Sequence, residues 1–365
     1  MPLKIINIVG ARPNFIKIAP IMAAYQGTGI QPLLVHTGQH YDRAMSDLFF
    51  HELGIPEPDI NLGIGSASHA QQTAAIMTAF EPVVLQHKPD AVLVVGDVNS
   101  TVACGLVAVK LGAKLIHVEA GLRSFDRSMP EEINRMVTDS ISDLLFVTEQ
   151  SGVDNLYCEG VAKEKVHLVG NVMIDTLLRN RAKAEESPIL GALGLQPHQY
   201  ALLTLHRPSN VDDQAVFGGL LSALEVIQRE MPIVFPIHPR TRKILESSAL
   251  GERVAAMKRL RMIDPAGYLD FMKLTANARV VLTDSGGIQE ETAILKVPCL
   301  TLRHNTERPV TIECGGNQLV GTDPAKILQA FRNVMEGRSP APKTPPLWDG
   351  HAATRIVDIL LTSLR

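Results

Sequence analysis

Short polar segments that directly follow apolar runs hold the residues able to do chemistry in this chain. They are Gly10-Ala11-Arg12, Gly96-Asp97, Glu119-Ala120-Gly121, Gly170-Asn171, His206-Arg207, His238-Pro239-Arg240 and Asp284-Ser285-Gly286-Gly287. In TDSGGIQEE (Thr283–Glu291), Ser285, Gly286 and Gly287 open a predicted helix. Backbone N–H groups and the helix dipole there attract an anion such as phosphate. Glu290 or Glu291, about one turn further in, is spaced to meet ribose hydroxyls. An ordinary capped helix explains the same residues. In GARPNFIK (Gly10–Lys17), Arg12 stands in the turn and Lys17 one turn into the helix. A guanidinium fork and an ammonium both suit a pyrophosphate, and both equally suit a solvated surface.

Carboxylates gather in three further segments. Asp97 ends a strand in VVGDVNST, Glu119 ends one in HVEAGLRS, and Glu131 and Glu132 start a helix in MPEEINR. Carboxylates that converge on a dry cleft can hold different protonation states and divide the work of acid and base. N-capping competes for Asp97, and first-turn charge competes for Glu131 and Glu132. Glu119 has no helix beginning beside it. His206 and Arg207 in LTLHRPSN share the same kind of strand end, as does His238 in PIHPRTR. The histidines show no HExxH or comparable spacing, so no metal site is expected. Neither GxGxxG nor GxxxxGK[ST] occurs, which removes the main support for a dinucleotide or Walker-type site.

These residues need strands to carry them. Apolar runs fall at Leu3–Val9, Pro32–His36, Ala91–Val95, Lys114–Val118, Leu144–Val147 and Val166–Val169, and then at Ala201–Leu205, Ile233–Ile237, Leu260–Ile263, Val280–Leu282 and Cys299–Leu302. Continuous rather than alternating runs suit strands buried on both faces, and helical patterns between them give the βαβα signature of doubly wound parallel sheets. So many strands exceed one comfortable sheet. The break lies at Ala182–Gln199, which contains no strand, so an α/β protein of two Rossmann-like domains joined near residues 171–185 is expected. A Pro-rich stretch, Ser339–Gly350, precedes a last amphipathic helix at His351–Leu364. Ligands of such sheets bind at the carboxyl ends of the strands, and two sheets facing each other would share one cleft.

Composition narrows the class. The 365 residues are 45% hydrophobic and 20% charged, as for a folded chain with a core. A net charge of −3 and only 4% aromatic residues argue against nucleic acid or an anionic membrane as partner. The four cysteines lack CxxC spacing, so a reducing compartment is expected. No apolar run is long enough to span a bilayer, and no signal-peptide pattern opens the sequence. A cytoplasmic protein is expected.

Taken together, Gly10–Lys17, Gly96–Thr101, His117–Ser124, Met129–Arg135, Gly170–Asp175, His206–Arg207, Thr283–Glu291 and Thr306-Glu307-Arg308-Pro309 resemble the non-hydrolysing UDP-N-acetylglucosamine 2-epimerases, from about residue 3 to residue 323. The resemblance implies a glycosyltransferase-B type fold of two Rossmann-like domains facing a central cleft. The domains would be residues 1–171 with 351–365, and 172–350, the last helix crossing back to the first domain. It implies anti elimination of UDP to 2-acetamidoglucal and re-addition, interconverting UDP-GlcNAc and UDP-ManNAc with no cofactor and no metal. Asp97, Glu119 and Glu131 would be the acid–base carboxylates, with the one that removes the C2 proton undecided. Arg12, Lys17, His206, Ser285, Gly286 and Gly287 would bind the diphosphate, His206 and Arg12 easing departure of UDP. Glu291 would take the ribose hydroxyls, Phe271 would lie near uracil, and Arg308 would belong to the same site.

The resemblance also implies a homodimer and a product bound for a surface polysaccharide. The segment Gly38–Met45 keeps Gln39 and His40 of a second, allosteric site found in some members but has Tyr41 and Asp42 beside them, leaving activation by substrate undecided. HTGQHYD and LHRPSN also resemble relatives acting on a UDP-diacetamido-uronate. A hydrolysing relative, a glycosyltransferase of the same fold and a nucleotide-sugar sensor are the remaining alternatives.

Overall fold

The computed structural model describes residues 2–38 and 52–364. It divides the chain into two compact units, Met1–Arg179 with Pro346–Arg365, and Asn180–Pro345. The division falls inside the helix Val172–Glu185 rather than before it.

Unit 1 is built on strands β1 (Leu3–Val9), β2 (Ile30–His36), β3 (Ile60–Asn61), β4 (Ala91–Val95), β5 (Lys114–Ala120), β6 (Leu144–Val147) and β7 (Val166–Leu168). Among the described residues they form one parallel sheet in the order β3-β2-β1-β4-β5-β6-β7. Every residue of β4 is buried, as a strand covered by helices on both faces must be. Unit 2 repeats the scheme with β8 (Ala201–Thr204), β9 (Ile233–Pro236), β10 (Leu260–Ile263), β11 (Val280–Thr283), β12 (Cys299–Thr301) and β13 (Asn317–Leu319), in the order β10-β9-β8-β11-β12-β13. In both sheets the order reverses beside the first strand, which puts switch points between β1 and β4 and between β8 and β11.

Two edge strands, β3 and β13, are absent from the apolar runs because they are two and three residues long and include Asn61, Asn317 and Gln318. The last helix is Ala352–Ser363. It packs on the helix Arg12–Ala24 of unit 1, so the chain does return to its first unit. Asp175 caps it: its carboxylate accepts from the Ala352 and Ala353 N–H groups at 3.2 and 2.7 Å. Trp348, fully buried just before it, donates its indole N–H to the Thr148 carbonyl at 3.0 Å.

Candidate functional site

In unit 1 the polar residues line the switch point. Asn14 spans it, accepting from the Gly10 and Ala11 N–H groups and donating to the Val95 carbonyl at the end of β4. Arg12 is the first residue of its helix, and Lys17 turns inward from the same helix. Lys17 Nζ lies 2.7 Å from Glu119 Oε2, the two side chains being 6% and 2% exposed. Lys17 is therefore no solvated surface cation, and its nearest anion belongs to the protein.

Glu119 does not simply follow its strand. It is a bulge residue within β5, where the register to β6 shifts between Val118 and Ala120, and its φ of 73° is in the left-handed region. A bulge re-aims a side chain, and a non-glycine residue held there marks a conformation that its surroundings impose. Gly96 makes room for its partner, Lys17. With φ at 69°, a Cβ there would lie 2.9 Å from Lys17 Nζ and 4.0 Å from Glu119 Oε1.

Asp97 is not a helix cap. The cap position of the helix Asn99–Lys110 is Val98, and Asp97 instead pairs with Arg135 Nη1. Arg135 is gripped from behind by Glu132 at 2.6 Å. Glu132 also accepts from the Ser124 and Phe125 N–H groups and the Ser124 hydroxyl, at 2.9 to 3.0 Å. Burial would raise its pKa, but the Ser124 bonds and the Arg135 charge hold it below the usual carboxylate range. Of the two glutamates in PEEINR, Glu132 is thus the buried latch and Glu131 the half-buried first-turn residue of the helix Pro130–Ile141. The sequence pointed to both carboxylates but not to their division of labour. The i,i+3 spacing of Glu132 and Arg135 was the signal available.

In unit 2, Asp284 directly follows β11 and is fully buried. It accepts from the His206 and Arg207 N–H groups at 3.0 and 2.9 Å, and its other oxygen lies 2.8 Å from His206 Nδ1. Burial would raise its pKa, but His206 and these backbone bonds hold it low. The pairing fixes the His206 ring, which tilts against His238 with centroids 5.8 Å apart. Sequence reasoning used Asp284 only as part of a loop and missed it as the orienting partner.

Gly286 and Gly287 begin the helix Gly286–Leu295, and Ser285 at its cap position makes no side-chain cap bond. The simple capped-helix explanation therefore fails for Ser285. Arg308 lies over Gly286, where a Cβ would come within 3.3 Å of its Cζ. Its Nε donates to Glu290 at 2.9 Å, so of the adjacent pair Glu290 serves Arg308. Glu291 is buried near Tyr268, whose pKa rises well above the usual value through burial and the Glu291 charge. Arg303 forks onto Glu307 with two 3.0 Å bonds, and Arg207 and Arg308 stand 3.7 Å from the same carboxylate. Glu307 is held well below the usual range, its burial outweighed by the Arg308 and Arg303 charges. Phe271, on the helix Tyr268–Ala276, is half-buried against the cluster around Tyr200 and Leu202.

Gln39, His40, Tyr41 and Asp42 lie outside the described residues. Among the described residues no group of His, Cys, Asp or Glu is arranged to hold a metal ion.

Parallel sheets with carboxylates at one switch point and an uncapped, arginine-flanked helix start at another define an α/β enzyme of the glycosyltransferase-B kind of fold. Residues 23–361 match the family described as UDP-N-acetylglucosamine 2-epimerase, and the chain belongs to that family of isomerases. The UDP-N-acetylglucosamine 2-epimerase of Methanocaldococcus jannaschii is 44% identical over 98% of this chain and 99% of its own. A crystal structure of the M. jannaschii UDP-GlcNAc 2-epimerase in complex with UDP-GlcNAc and UDP matches with a TM-score of 0.92 at 42% identity, covering 99% of this chain and 100% of that one. The UDP-2,3-diacetamido-2,3-dideoxy-D-glucuronate 2-epimerase of Pseudomonas aeruginosa is 41% identical over 98% of this chain and 99% of its own.

Proposed function

We propose that this chain interconverts UDP-GlcNAc and UDP-ManNAc by elimination and re-addition of UDP. The observation that carries the chemistry is Glu119, turned out of its strand by a left-handed bulge and held against Lys17. The C2 hydrogen of the sugar is not beside a carbonyl, so its removal relies on breaking the C1–O bond to UDP, which gives the ring oxocarbenium character and makes that hydrogen acidic. One carboxylate among Asp97, Glu119 and Glu131 takes the C2 proton as the C1–O electrons leave with UDP, giving 2-acetamidoglucal. A proton returns to the opposite face of C2, and UDP re-adds at C1. Glu119 stands beside Lys17 and Asp97 beside Arg135, so the two carboxylates have different cationic neighbours.

For the nucleotide, the uncapped start of the helix at Ser285, Gly286 and Gly287 supports a diphosphate role, joined by Arg12, Lys17, His206 and Arg308. His206, oriented by Asp284, is suited to protonate or cradle the departing phosphate oxygen. Glu291 is assigned to the ribose hydroxyls and Phe271 to the uracil. No cofactor or metal enters the scheme. We further propose a cytoplasmic homodimer whose product supplies surface polysaccharide. Among the described residues no helix is long and apolar enough to cross a membrane.

The identity to the Pseudomonas relative favours one second reading, the same chemistry on a UDP-diacetamido-uronate. Proton NMR of UDP-GlcNAc with the pure protein in D₂O, no cofactor added, decides between them. UDP-ManNAc with deuterium at C2 is expected. Exchange on the uronate analogue alone would move the assignment to that sugar, and free ManNAc with UDP would make the enzyme a hydrolysing one.

A further inference from the structure

One buried network in unit 1 has no role in the scheme above. His117 and Asp139 are both almost wholly buried, and His117 Nδ1 lies 2.6 Å from Asp139 Oδ1. The other ring nitrogen, Nε2, lies 2.8 Å from the Gly96 carbonyl. A carbonyl can only accept, so Nε2 carries a proton there and the ring orientation is fixed. The second Asp139 oxygen accepts from the Gly121 N–H at 3.1 Å and pairs with Arg123 at 2.7 Å. Arg123 in turn forks onto Glu159 with bonds of 2.7 and 2.6 Å.

The placement is specific. His117 is two residues before Glu119 and Gly121 two residues after it, so Asp139 holds the β5 bulge on both sides. Through His117 the same carboxylate holds the carbonyl of Gly96, the residue whose missing Cβ admits Lys17 and whose peptide leads into Asp97. The Gly96 N–H completes the frame by donating to the Val118 carbonyl at 3.0 Å.

We propose that His117 and Asp139 are positioning residues for the proton-transfer carboxylates, fixing Glu119 and Asp97 in one frame without touching substrate. This rests on the epimerase reading. A positioning device acts on the chemical step, because misplacing a reacting group by about 1 Å costs on the order of 10²-fold in rate. It leaves the UDP-binding residues of unit 2 untouched.

The test uses the full-length protein and measures kcat, KM, solvent deuterium entry at C2 and the Kd for UDP. His117→Phe keeps a ring of similar shape and leaves Asp139 paired with Arg123 and Gly121. We expect kcat and the rate of deuterium entry to fall about 10²-fold, with KM and the Kd for UDP changed less than about 3-fold. Asp139→Asn can still accept from Gly121 and Arg123 while donating to His117 Nδ1, so it should keep kcat within about 10-fold of wild type. A folded His117→Phe with wild-type kcat overturns the proposal. So does a rise in KM and in the Kd for UDP at unchanged kcat. If His117→Phe does not fold, Asp139→Ala is measured beside Asp139→Asn: a kcat loss of about 10²-fold in the alanine variant that the asparagine variant recovers, with UDP binding intact in both, upholds positioning by hydrogen bonds, and equal turnover in the two overturns it. A wild type that binds UDP but exchanges no C2 hydrogen on either UDP sugar overturns the epimerase reading and this proposal together. That outcome is distinguishable because the failure is in the parent protein.

Discussion

Lys17 Nζ and Glu119 Oε2 form a 2.7 Å ion pair between the first turns of one helix and a bulge in a strand more than a hundred residues away. Nearly no solvent reaches either group, so the attraction between them is little screened. Removing one partner of such a pair leaves an uncompensated buried charge, at about 3–5 kcal/mol. Lys17→Met alone should therefore lower the unfolding free energy by about that amount in urea titrations. Lys17→Met combined with Glu119→Gln should cost clearly less than the two single changes added, because neither charge is left alone. Strict additivity would show that the pair is not coupled. Glu119→Gln should also abolish deuterium entry at C2 while UDP still binds.

Arg135 carries a second prediction. It links buried Glu132 to Asp97 by a planar fork that a lysine cannot reproduce. Arg135→Lys keeps the charge and loses the fork, so Asp97 keeps a cation nearby but loses its placement. Turnover should fall roughly 10²-fold with little change in thermal stability. Equal losses in Arg135→Lys and Arg135→Met would mean that charge alone matters at this position.

The strand framework was legible because parallel strands buried on both faces announce themselves as apolar runs. The run at Ala91–Val95 coincides with β4 residue for residue. The rims were legible too, since Asp97, His206 and Ser285 each stand two residues past a strand end. What could not be read was partnership. Asp97 as a cap and Asp97 as the partner of Arg135 need the same residue at the same place, and only the fold brings position 135 to position 97. The conformation of Glu119 was hidden for a different reason. No glycine marks the left-handed residue, because the bulge is imposed by its neighbours rather than by local preference. Short edge strands such as Ile60–Asn61 carry too few residues for a pattern.

Acid should weaken unit 2 through Asp284 and Glu307. Both have native pKa values depressed below the ordinary range: burial opposes this, but His206 and backbone N–H groups overcome it at Asp284, and Arg308 and Arg303 at Glu307. A group with a depressed native pKa binds its proton more weakly when folded, so the unfolded chain binds more protons and stability rises with pH. The contribution is complete above the unfolded values, near ~4 for both residue types, and is lost as pH falls through the native ones. Asp284→Asn should then cost about 1–3 kcal/mol near neutral pH and progressively less as pH falls below about 4. Paired urea melts of wild type and variant across this range check it. A cost that stays constant with pH would remove the ionised Asp284 from the account.

Gly286→Ala separates the needs of the fold from those of the site. Position 286 is the first residue of a helix and has no left-handed φ, so alanine suits the backbone and should leave stability unchanged or raise it by up to about 1 kcal/mol. The new Cβ would nevertheless come within 3.3 Å of Arg308 Cζ. The guanidinium must then move by a few tenths of an ångström, yet Glu290 holds it through Nε at 2.9 Å. The methyl group would also stand at the helix start assigned to the diphosphate, where close approach of backbone N–H groups is the source of affinity. We expect the Kd for UDP to rise about 10-fold, or about 1.4 kcal/mol, in a protein that melts no lower than wild type. Calorimetric titration with UDP beside a thermal melt makes the comparison. Tight UDP binding by a well-folded Gly286→Ala variant would place the diphosphate away from this helix start. A loss of affinity together with a loss of stability would instead mean that the glycine serves the packing of Arg308 and not the ligand.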